Sequence, residues 1–191
     1  MFTGLIQGIG RIRSFRGREL VVAGAPWADL QDGESICVNG CCLTLTHREG
    51  GFLHFELSRE TLERSKRALW VPGAAVNLER ALTLQTPLGG HLVTGHADGL
   101  GRVERPPQSP EWLLIASYPK AFDPLIVEKG SIAVHGVSLT VSRLLPRQRF
   151  QAALVPETLK RTTLGALRRG EAVHLEFDLV GKYIARWAKR R

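Results

Sequence analysis

The side chains best suited to chemistry begin with three closely spaced cysteines, Cys37, Cys41 and Cys42. A cysteine thiolate is both a nucleophile and a metal ligand. Alternation along a strand would put Cys37 and Cys41 on one face and Cys42 on the other. The odd count argues against a disulfide framework, and no second Cys or His pair follows at zinc-finger spacing. We therefore expect free thiols, a reducing cytoplasm and no bound metal.

Hydroxyl groups beside glycines form a second set of candidates, and they recur along the chain. Such groups suit hydrogen bonding to a flat polar ligand that the backbone approaches closely. Taken singly, each Gly and Thr would only serve a turn or a strand. Because these residues recur at equivalent positions in both halves of the chain, the pattern favours a ligand that is bound twice. The paired positions are Thr3 with Thr94, Thr44 with Thr140, and Thr61 with Thr158.

Other paired positions differ between the two halves, and the reactive groups lie mainly in the second half. The differing pairs are Cys42 with Ser138, Leu5 with His96, Asn39 with His135, and Ala81 with Asp178. Two sites that bind the same kind of molecule and treat it differently would show this pattern. Independent drift of surface residues would produce it as well.

An internal duplication explains these pairs. Residues 3–12 recur as 94–103, and residues 35–45 recur as 131–141 with six of eleven positions identical. Two later segments, 60–65 and 73–79, recur at an offset of 97 as 157–162 and 170–176. Because four matches keep their order with little drift, we infer two copies of one domain that meet in a turn-rich stretch at residues 87–90.

The local pattern within each copy is that of a small antiparallel barrel. Segments 34–38 and 52–57 are rich in strand-forming residues, and Gly-containing turn dipeptides follow at short intervals. Short helices are predicted over residues 58–69 and 156–167, entered by Ser58 and Pro156. Residues 180–191 carry Tyr183, Ile184 and Trp187 at helical spacing, which predicts a terminal amphipathic helix.

Charge and composition exclude several classes of function. The chain of 191 residues has 26 basic and 18 acidic side chains, a net charge of +8, but residues 179–191 hold five of the basic ones and no acid. Aromatic residues make up 7%, too few for a nucleic-acid stacking platform, and no apolar run is long enough to span a bilayer. The first residues lack the pattern of a signal peptide. We expect neither nucleic-acid nor membrane binding.

Four motifs, in order, closely resemble the signatures of the riboflavin synthase family. They are MFTGLI at residues 1–6, NGCCLT at 39–44, GHLVTGHADG at 90–99 and GVSLT at 136–140, joined by LEFD at 175–178. The resemblance runs from Met1 to about Tyr183. It implies an all-β chain of two tandem six-stranded antiparallel Greek-key barrels, residues 1–88 and 89–178, and a short C-terminal helix, 179–191, that brings three chains together.

The resemblance also implies a reaction and its partners. Two molecules of 6,7-dimethyl-8-ribityllumazine react, one giving a four-carbon unit to the other, to form riboflavin and 5-amino-6-(D-ribitylamino)uracil. The active site would lie between the N-terminal barrel of one subunit and the C-terminal barrel of its neighbour in a homotrimer. No cofactor is needed, because atoms are only redistributed between identical molecules. Lumazine synthase is a further candidate partner.

The resemblance assigns candidate catalytic roles to five residues. His96 would move a proton, and Cys42 would add to a ring or hydrogen-bond to it. Ser138 and Thr140 would orient a ring or position water, and Asp178 would orient a partner or accept a proton. Without the resemblance, Cys42 would be interpreted as a small apolar residue in a strand, His96 as a turn residue and Asp178 as a helix cap. The predicted substrate-binding positions are Thr3, Gly4, Leu5, Ile6, Cys42, Leu43, Thr44, Glu56, Leu57, Ser58, Arg59, Glu60, Thr61, Gly95, His96, Ala97, Lys129, His135, Ser138, Leu139, Thr140, Val155, Pro156, Glu157, Thr158, Leu159 and Lys160.

One position departs from the family pattern, which often has an acidic residue where this chain has His135. An imidazole differs from a carboxylate in charge and proton affinity. His135 either replaces the acid as a base or binds the ribityl hydroxyls. The departure leaves open a noncatalytic lumazine- or flavin-binding protein of the same fold. The joint presence of Cys42, His96, Ser138, Thr140 and Asp178 favours the enzyme.

Overall fold

The strands of the molecule close into two six-stranded barrels in the computed structural model, which describes residues 1–189. The first barrel consists of β1 (Gly8–Arg16), β2 (Glu19–Ala23), β3 (Ser35–Val38), β4 (Cys41–Glu49), β5 (Phe52–Glu56) and β6 (Ala75–Arg80). The second consists of β7 (Gly99–Arg105), β8 (Leu113–Ser117), β9 (Ser131–Val134), β10 (Val137–Leu145), β11 (Arg149–Ala153) and β12 (Ala172–Phe177).

Strand order is the same in both barrels, as a duplicated domain requires. Around the first barrel the order is β1-β2-β5-β4-β3-β6, and the second follows the same path from β7 to β12. Every pairing is antiparallel, and β4 and β10 carry bulges at equivalent places. The predicted tandem six-stranded antiparallel barrels are therefore confirmed.

Each barrel has its own apolar core, because inward side chains alternate with outward ones along the strands. In the first barrel Leu20, Val22, Leu53 and Phe55 are fully buried on the paired strands β2 and β5. Burying one such side chain stabilises the fold by about 1.5–3 kcal/mol. A smaller cluster of Phe2, Cys37, Val93 and Ala133 lies between the barrels and joins them.

The three cysteines are free thiols, but the prediction of their faces is wrong. A turn at residues 39–40 separates β3 from β4, so the cysteines do not share a strand. Cys37 and Cys42 are opposite each other across the pair, which puts them on one face, towards the cluster between the barrels. Cys41 belongs instead to the core of the first barrel.

The predicted helices are confirmed. Helix α1 (Arg59–Ser65) begins after Ser58, whose Oγ accepts the Thr61 N–H at 3.0 Å, and α2 (Pro156–Arg161) begins at the predicted proline. Short 3₁₀ turns follow each, at Arg67–Leu69 and Thr163–Ala166, and another lies at Lys120–Leu125.

The C-terminal helix α3 spans Leu179–Ala188 and is capped by the Asp178 carboxylate, which accepts the Val180 N–H at 2.9 Å. Its apolar side chains Tyr183 and Ile184 are exposed. The last two residues of the predicted helix, 190 and 191, lie outside the described residues. None of the helices described over residues 1–189 is long and apolar enough to cross a membrane.

Candidate functional site

Two short loops cross over, so that each copy of the domain supplies a loop to the barrel of the other. Residues 3–6 lie against β10, where the Gly4 carbonyl accepts the Ser138 N–H at 2.9 Å. Residues 94–97 lie against β4, where the Gly95 carbonyl accepts the Cys42 N–H at 2.7 Å. A short antiparallel bridge between Phe2 and Val93 holds the two loops side by side. Each loop thereby reaches the residue expected to be reactive in the opposite barrel.

Glycine is required at the point where each loop meets its strand. Gly4 and Gly95 have φ values of +75° and +77°, in the left-handed region that favours glycine. A Cβ on Gly4 would lie 2.6 Å from the Ser138 Cβ, and one on Gly95 would lie 2.7 Å from the Cys42 Cβ. The two predicted glycine positions are thus explained by close approach of the backbone.

A buried glutamate on the last strand of the first barrel fixes one loop. The Glu79 carboxylate accepts the Thr3 N–H at 2.6 Å, the Thr3 hydroxyl at 2.8 Å and the Gly4 N–H at 3.0 Å. Burial raises the pKa of Glu79, and these hydrogen bonds act in the opposite direction. Thr3 therefore serves the loop within this structure.

Glu176 fixes the other loop from the equivalent place on β12. Its carboxylate accepts the Thr94 N–H at 2.6 Å and the Thr94 hydroxyl at 2.8 Å. It also accepts the N–H groups of Gly95 at 2.9 Å and His96 at 3.0 Å. The sequence prediction missed both glutamates, although the repeated segments 73–79 and 170–176 each end in one.

The first pocket is a cavity of about 390 Å³ formed by β4, α1 and the loop from the second copy. It brings together predicted positions from distant parts of the sequence, namely Cys42, Ser58, Glu60, Thr61, Gly95, His96 and Ala97. Its wall also contains three residues that were not among the predicted binding positions, Cys41, Arg64 and Asp98.

The reactive groups of the first pocket are an imidazole, a thiol and a guanidinium. Burial raises the pKa of Cys41 to about 12, so this thiol stays protonated at neutral pH. Cys42 is the more exposed of the two. Asp98 is held in place, since its carboxylate accepts the Phe177 N–H at 2.9 Å and pairs with Lys182 of α3 at 2.7 Å. His96, Cys42 and Arg64 therefore line the pocket together with the exposed carboxylate of Glu60.

The second pocket, of about 260 Å³, repeats the first with β10, α2 and the loop from the first copy. It is lined by the predicted positions Gly4, Leu5, Ile6, Ser138, Glu157 and Thr158, and by Val137, Arg161 and Thr162. Ser138 takes the place of Cys42, Leu5 that of His96, and Arg161 that of Arg64. The frame of the two pockets, meaning the strand, the helix and the loop from the other copy, is the same, and the reactive groups differ.

The second pocket has a histidine partner that the sequence analysis did not select. His91 Nδ1 lies 2.7 Å from Ser138 Oγ. Burial lowers the pKa of His91, and the negative charges of Asp178 and Glu176 oppose that shift. A neutral imidazole at this distance can accept the serine proton. The available signal was its place within the recognised GHLVTGHADG motif, directly after two glycines.

Several predicted positions lie on the barrels without lining either pocket. Thr44 and Thr140 are exposed two residues beyond Cys42 and Ser138, on the same strand faces. Leu43, Leu57 and Leu139 are buried in the barrel cores. The remaining positions of this kind are Glu56, which pairs with Arg18; Arg59, which pairs with Glu63; Lys129, whose φ is +65°; and Val155, Pro156, Leu159 and Lys160 at α2.

Asp178 and His135 have other surroundings. Asp178 caps α3 and lines a small cavity under that helix, and it is close enough to His91 for its charge to favour the protonated imidazole. His135 lies in a tight turn between the barrels, with its ring 5.1 Å from that of His174. It lines a separate cavity that also contains Asn39, its counterpart in the first copy. Substrate contact by His135 stays a prediction.

Comparison with known proteins identifies the class first. The model of the lumazine binding domain matches residues 3–81 and 94–178, one match for each copy. Solved structures of LumP, complexed with 6,7-dimethyl-8-(1'-D-ribityl) lumazine and with riboflavin, share this fold at TM-scores of 0.79 and 0.80. Each is 24% identical and covers 93% of this chain and 99% of LumP. The molecule is a tandem lumazine-binding-domain protein.

Curated relatives narrow the class to a family. The chain is 41% identical to riboflavin synthase of Mycobacterium tuberculosis, with 97% of each chain covered. It is 37% identical to riboflavin synthase of Actinobacillus pleuropneumoniae (100% of this chain, 91% of the relative) and 35% identical to that of Escherichia coli (93% and 87%). The chain belongs to the riboflavin synthase family, as the sequence motifs predicted.

Proposed function

We propose that this chain catalyses the riboflavin synthase reaction, a transferase reaction between two molecules of 6,7-dimethyl-8-ribityllumazine. One molecule gives a four-carbon unit to the other, which yields riboflavin and 5-amino-6-(D-ribitylamino)uracil. The observation that carries the proposal is the repeated pocket. Two pockets built from equivalent elements suit the binding of two molecules of one substrate. Their different reactive groups suit a reaction in which one molecule donates and the other accepts.

The first pocket supplies groups for proton transfer at a lumazine ring. His96 lies beside Cys42 and Arg64, and its backbone N–H is fixed by Glu176. Histidine is the side chain that most often transfers protons in enzymes, so His96 is our candidate for removing the acidic methyl proton. Arg64 supplies a positive charge that would stabilise the negative charge developing on the ring.

The second pocket supplies a nucleophile or an activated water. Ser138 is paired with His91, which is neutral and can take a proton as a bond to the ring carbon forms. Asp178 would stabilise His91 once it is protonated, because its charge already favours that form. Thr140 and Cys42 are the further predicted contacts with the reacting molecules.

The proposed active site spans two subunits of a trimer. In the family pattern, the N-terminal barrel of one chain faces the C-terminal barrel of its neighbour. Support comes from α3, which exposes Val180, Tyr183 and Ile184 along its length. Apolar groups of this size are commonly buried between subunits. Holding two reactants in register lowers a barrier by about 7–11 kcal/mol in favourable cases.

Noncatalytic binding of a lumazine or flavin is the second candidate function, since LumP shares the fold. The Ser138–His91 pair and His96 favour the enzyme, because simple binding has no need of a proton acceptor in each reacting region. A cytoplasmic location and an association with lumazine synthase are further parts of the proposal.

Product formation tests the proposal directly. Purified protein is incubated with 6,7-dimethyl-8-ribityllumazine, and riboflavin is followed by its absorbance and by chromatography. We expect one riboflavin for every two lumazines consumed. Tight binding of lumazine without product would reject the enzyme and favour the binding protein. A Ser138→Ala variant checks that the activity belongs to the site, and Ser14→Ala, on β1 away from both pockets, is its matched control.

A further inference from the structure

Two histidines stand opposite each other on the outer surface of the first barrel. His47 on β4 and His54 on β5 are register partners, and their rings stack with centroids 4.0 Å apart. Glu49 follows two residues after His47 on the same strand. One ligand atom from each of the three residues lies within 4.8 Å of the others. Two imidazoles and a carboxylate at this spacing match the donor set of a zinc site.

The two imidazoles are restrained by neighbouring side chains. His54 Nδ1 lies 3.1 Å from the Glu19 carboxylate of β2, and the His54 side chain is only 14% exposed. His47 Nδ1 lies 3.4 Å from the Thr46 hydroxyl. A carboxylate on the far nitrogen of a ligating histidine is the usual outer support of a zinc site. Either histidine can therefore offer Nε2 in a restricted orientation.

A bulge in β4 creates this juxtaposition. The register shifts between Leu45 and His47, and the shift aligns His47 with His54. Bulges often redirect a side chain in this way. Arg48, the residue between His47 and Glu49, directs its guanidinium to the Ala28 carbonyl, so its charge is drawn away from the three ligands.

The second barrel shows that the fold does not require these residues. Strand β10 has the same bulge between Val141 and Arg143, with Arg143 opposite Gln151 on β11. Arg143 and Gln151 occupy the positions of His47 and His54, and Leu145 occupies that of Glu49. The backbone is thus conserved between the copies, while all three potential ligands occur only in the first copy.

We propose that His47, Glu49 and His54 bind one zinc ion on the outer face of the first barrel, with Glu19 as the supporting carboxylate. Three protein ligands leave a fourth position for water. The expectation of no metal rested on the cysteines, which lack a second Cys or His pair at zinc-finger spacing, whereas His47, Glu49 and His54 meet only when β4 and β5 pair. His47 is five residues from Cys42, about 17 Å along a strand, so the site is separate from the pockets.

Calorimetric titration of the untagged full-length protein with zinc chloride tests the proposal. We expect saturable binding of one ion per chain. The double variant His47→Arg/His54→Gln, which installs the residues of the second barrel on the same bulge, should lose that binding. Circular dichroism and the thermal midpoint without zinc check that the variant is folded. Cys42→Ser should bind zinc like the parent, since its thiol is outside the site.

A second measurement distinguishes a restrained site from loose surface chelation. Glu19→Gln removes the supporting carboxylate without removing a ligand, and we expect it to weaken zinc binding about tenfold. Zinc should also raise the thermal midpoint of the parent but not of the double variant. No saturable binding by the parent, binding kept by the folded double variant, or binding lost in Cys42→Ser would overturn the proposal.

Discussion

The pocket beside Cys42 and the pocket beside Ser138 share a frame but not their reactive groups. In both, a glycine loop from the other copy is fixed by a buried glutamate, Glu176 in one and Glu79 in the other. In both, an arginine of the following helix faces the cavity. The parts that hold a ligand are thus repeated. The groups proposed to act on it differ, which suits a reaction in which two identical molecules have different fates.

The largest loss of activity is expected when the Ser138–His91 pair is disrupted. Replacing His91 with Asn should lower the rate of riboflavin formation by about 10²–10⁴-fold, because the proton acceptor for Ser138 is lost. Steady-state assays of His91→Asn, Ser138→Ala and the double variant measure this effect. If the two residues act as a unit, the double variant is little worse than either single one. Additive losses would mean that they act independently.

The next largest effect is expected from exchanging the loop residues that differ between the two pockets, His96 and Leu5. His96→Leu gives the first pocket the residue of the second, and we expect a loss of about 10²-fold or more in turnover. Lumazine binding should fall much less, because the frame is unchanged. The reciprocal change, Leu5→His, should not increase turnover. Equilibrium fluorescence titration beside the rate assay separates the two effects. Equal losses in binding and turnover would assign His96 to binding alone.

The repeated frame itself is tested by the buried glutamates. Glu79→Gln places an amide NH₂ among N–H donors and should destabilise the fold by about 1–3 kcal/mol, and Glu176→Gln should do the same. Urea denaturation measures both. Glu63→Gln, in an exposed helical ion pair, is the control and should change stability by less than about 1 kcal/mol. A large loss in one barrel only would show that the frames are not equivalent.

A smaller difference between the two copies concerns the pH dependence of stability. Burial, reinforced by His174, lowers the pKa of His135 well below its ordinary value, whereas its counterpart Asn39 does not titrate. The neutral form is favoured in the fold, so this contribution is intact above about pH 6.5 and is lost as the pH falls below it. Between pH 7.5 and 5.5 the loss is on the order of 1 kcal/mol for one such group.

The variant His135→Asn measures this contribution. Its urea unfolding free energy should fall less between pH 7.5 and 5.5 than that of the parent, by about 1 kcal/mol. The parent and variant are compared in the same buffers, so that contributions from groups distant from His135 cancel. An unchanged pH dependence would show that His135 keeps its ordinary pKa.

The repeat is what made the barrels predictable. The division into two like domains and the pairing of Cys42 with Ser138 follow from two aligned copies, and the helices entered at Ser58 and Pro156 follow from local start signals. The six-stranded Greek-key arrangement came from the family resemblance. The faces of the cysteines were wrong because alternation was carried through the turn at residues 39–40, where the chain reverses. Periodicity holds only within a strand, and the Asn39-Gly40 turn signal marks the end of β3.

The missed residues share a different cause. His91, Glu79 and Glu176 gain their roles only in the folded chain, because each contacts a residue of its own copy that is distant in the sequence. Alignment of the copies compares each residue with its counterpart and contains no information on such contacts. The glutamates could have been selected because they recur in both copies. For His91 the available signal was its place in the GHLVTGHADG motif, because its partner Ser138 is 47 residues away.

The central claim is that one pocket of each kind, from two different chains, forms the working site. Chains carrying Cys42→Ala and chains carrying Ser138→Ala are refolded together, and mixed trimers are isolated by means of a tag on one of them. In each mixed trimer, one of the three interfaces between neighbouring chains combines an intact Cys42 pocket with an intact Ser138 pocket. Isolated mixed trimers should therefore show up to about a third of the parental activity, and the unfractionated equimolar mixture up to about a quarter. Demonstrated mixed trimers with no gain over the separate variants would contradict the account.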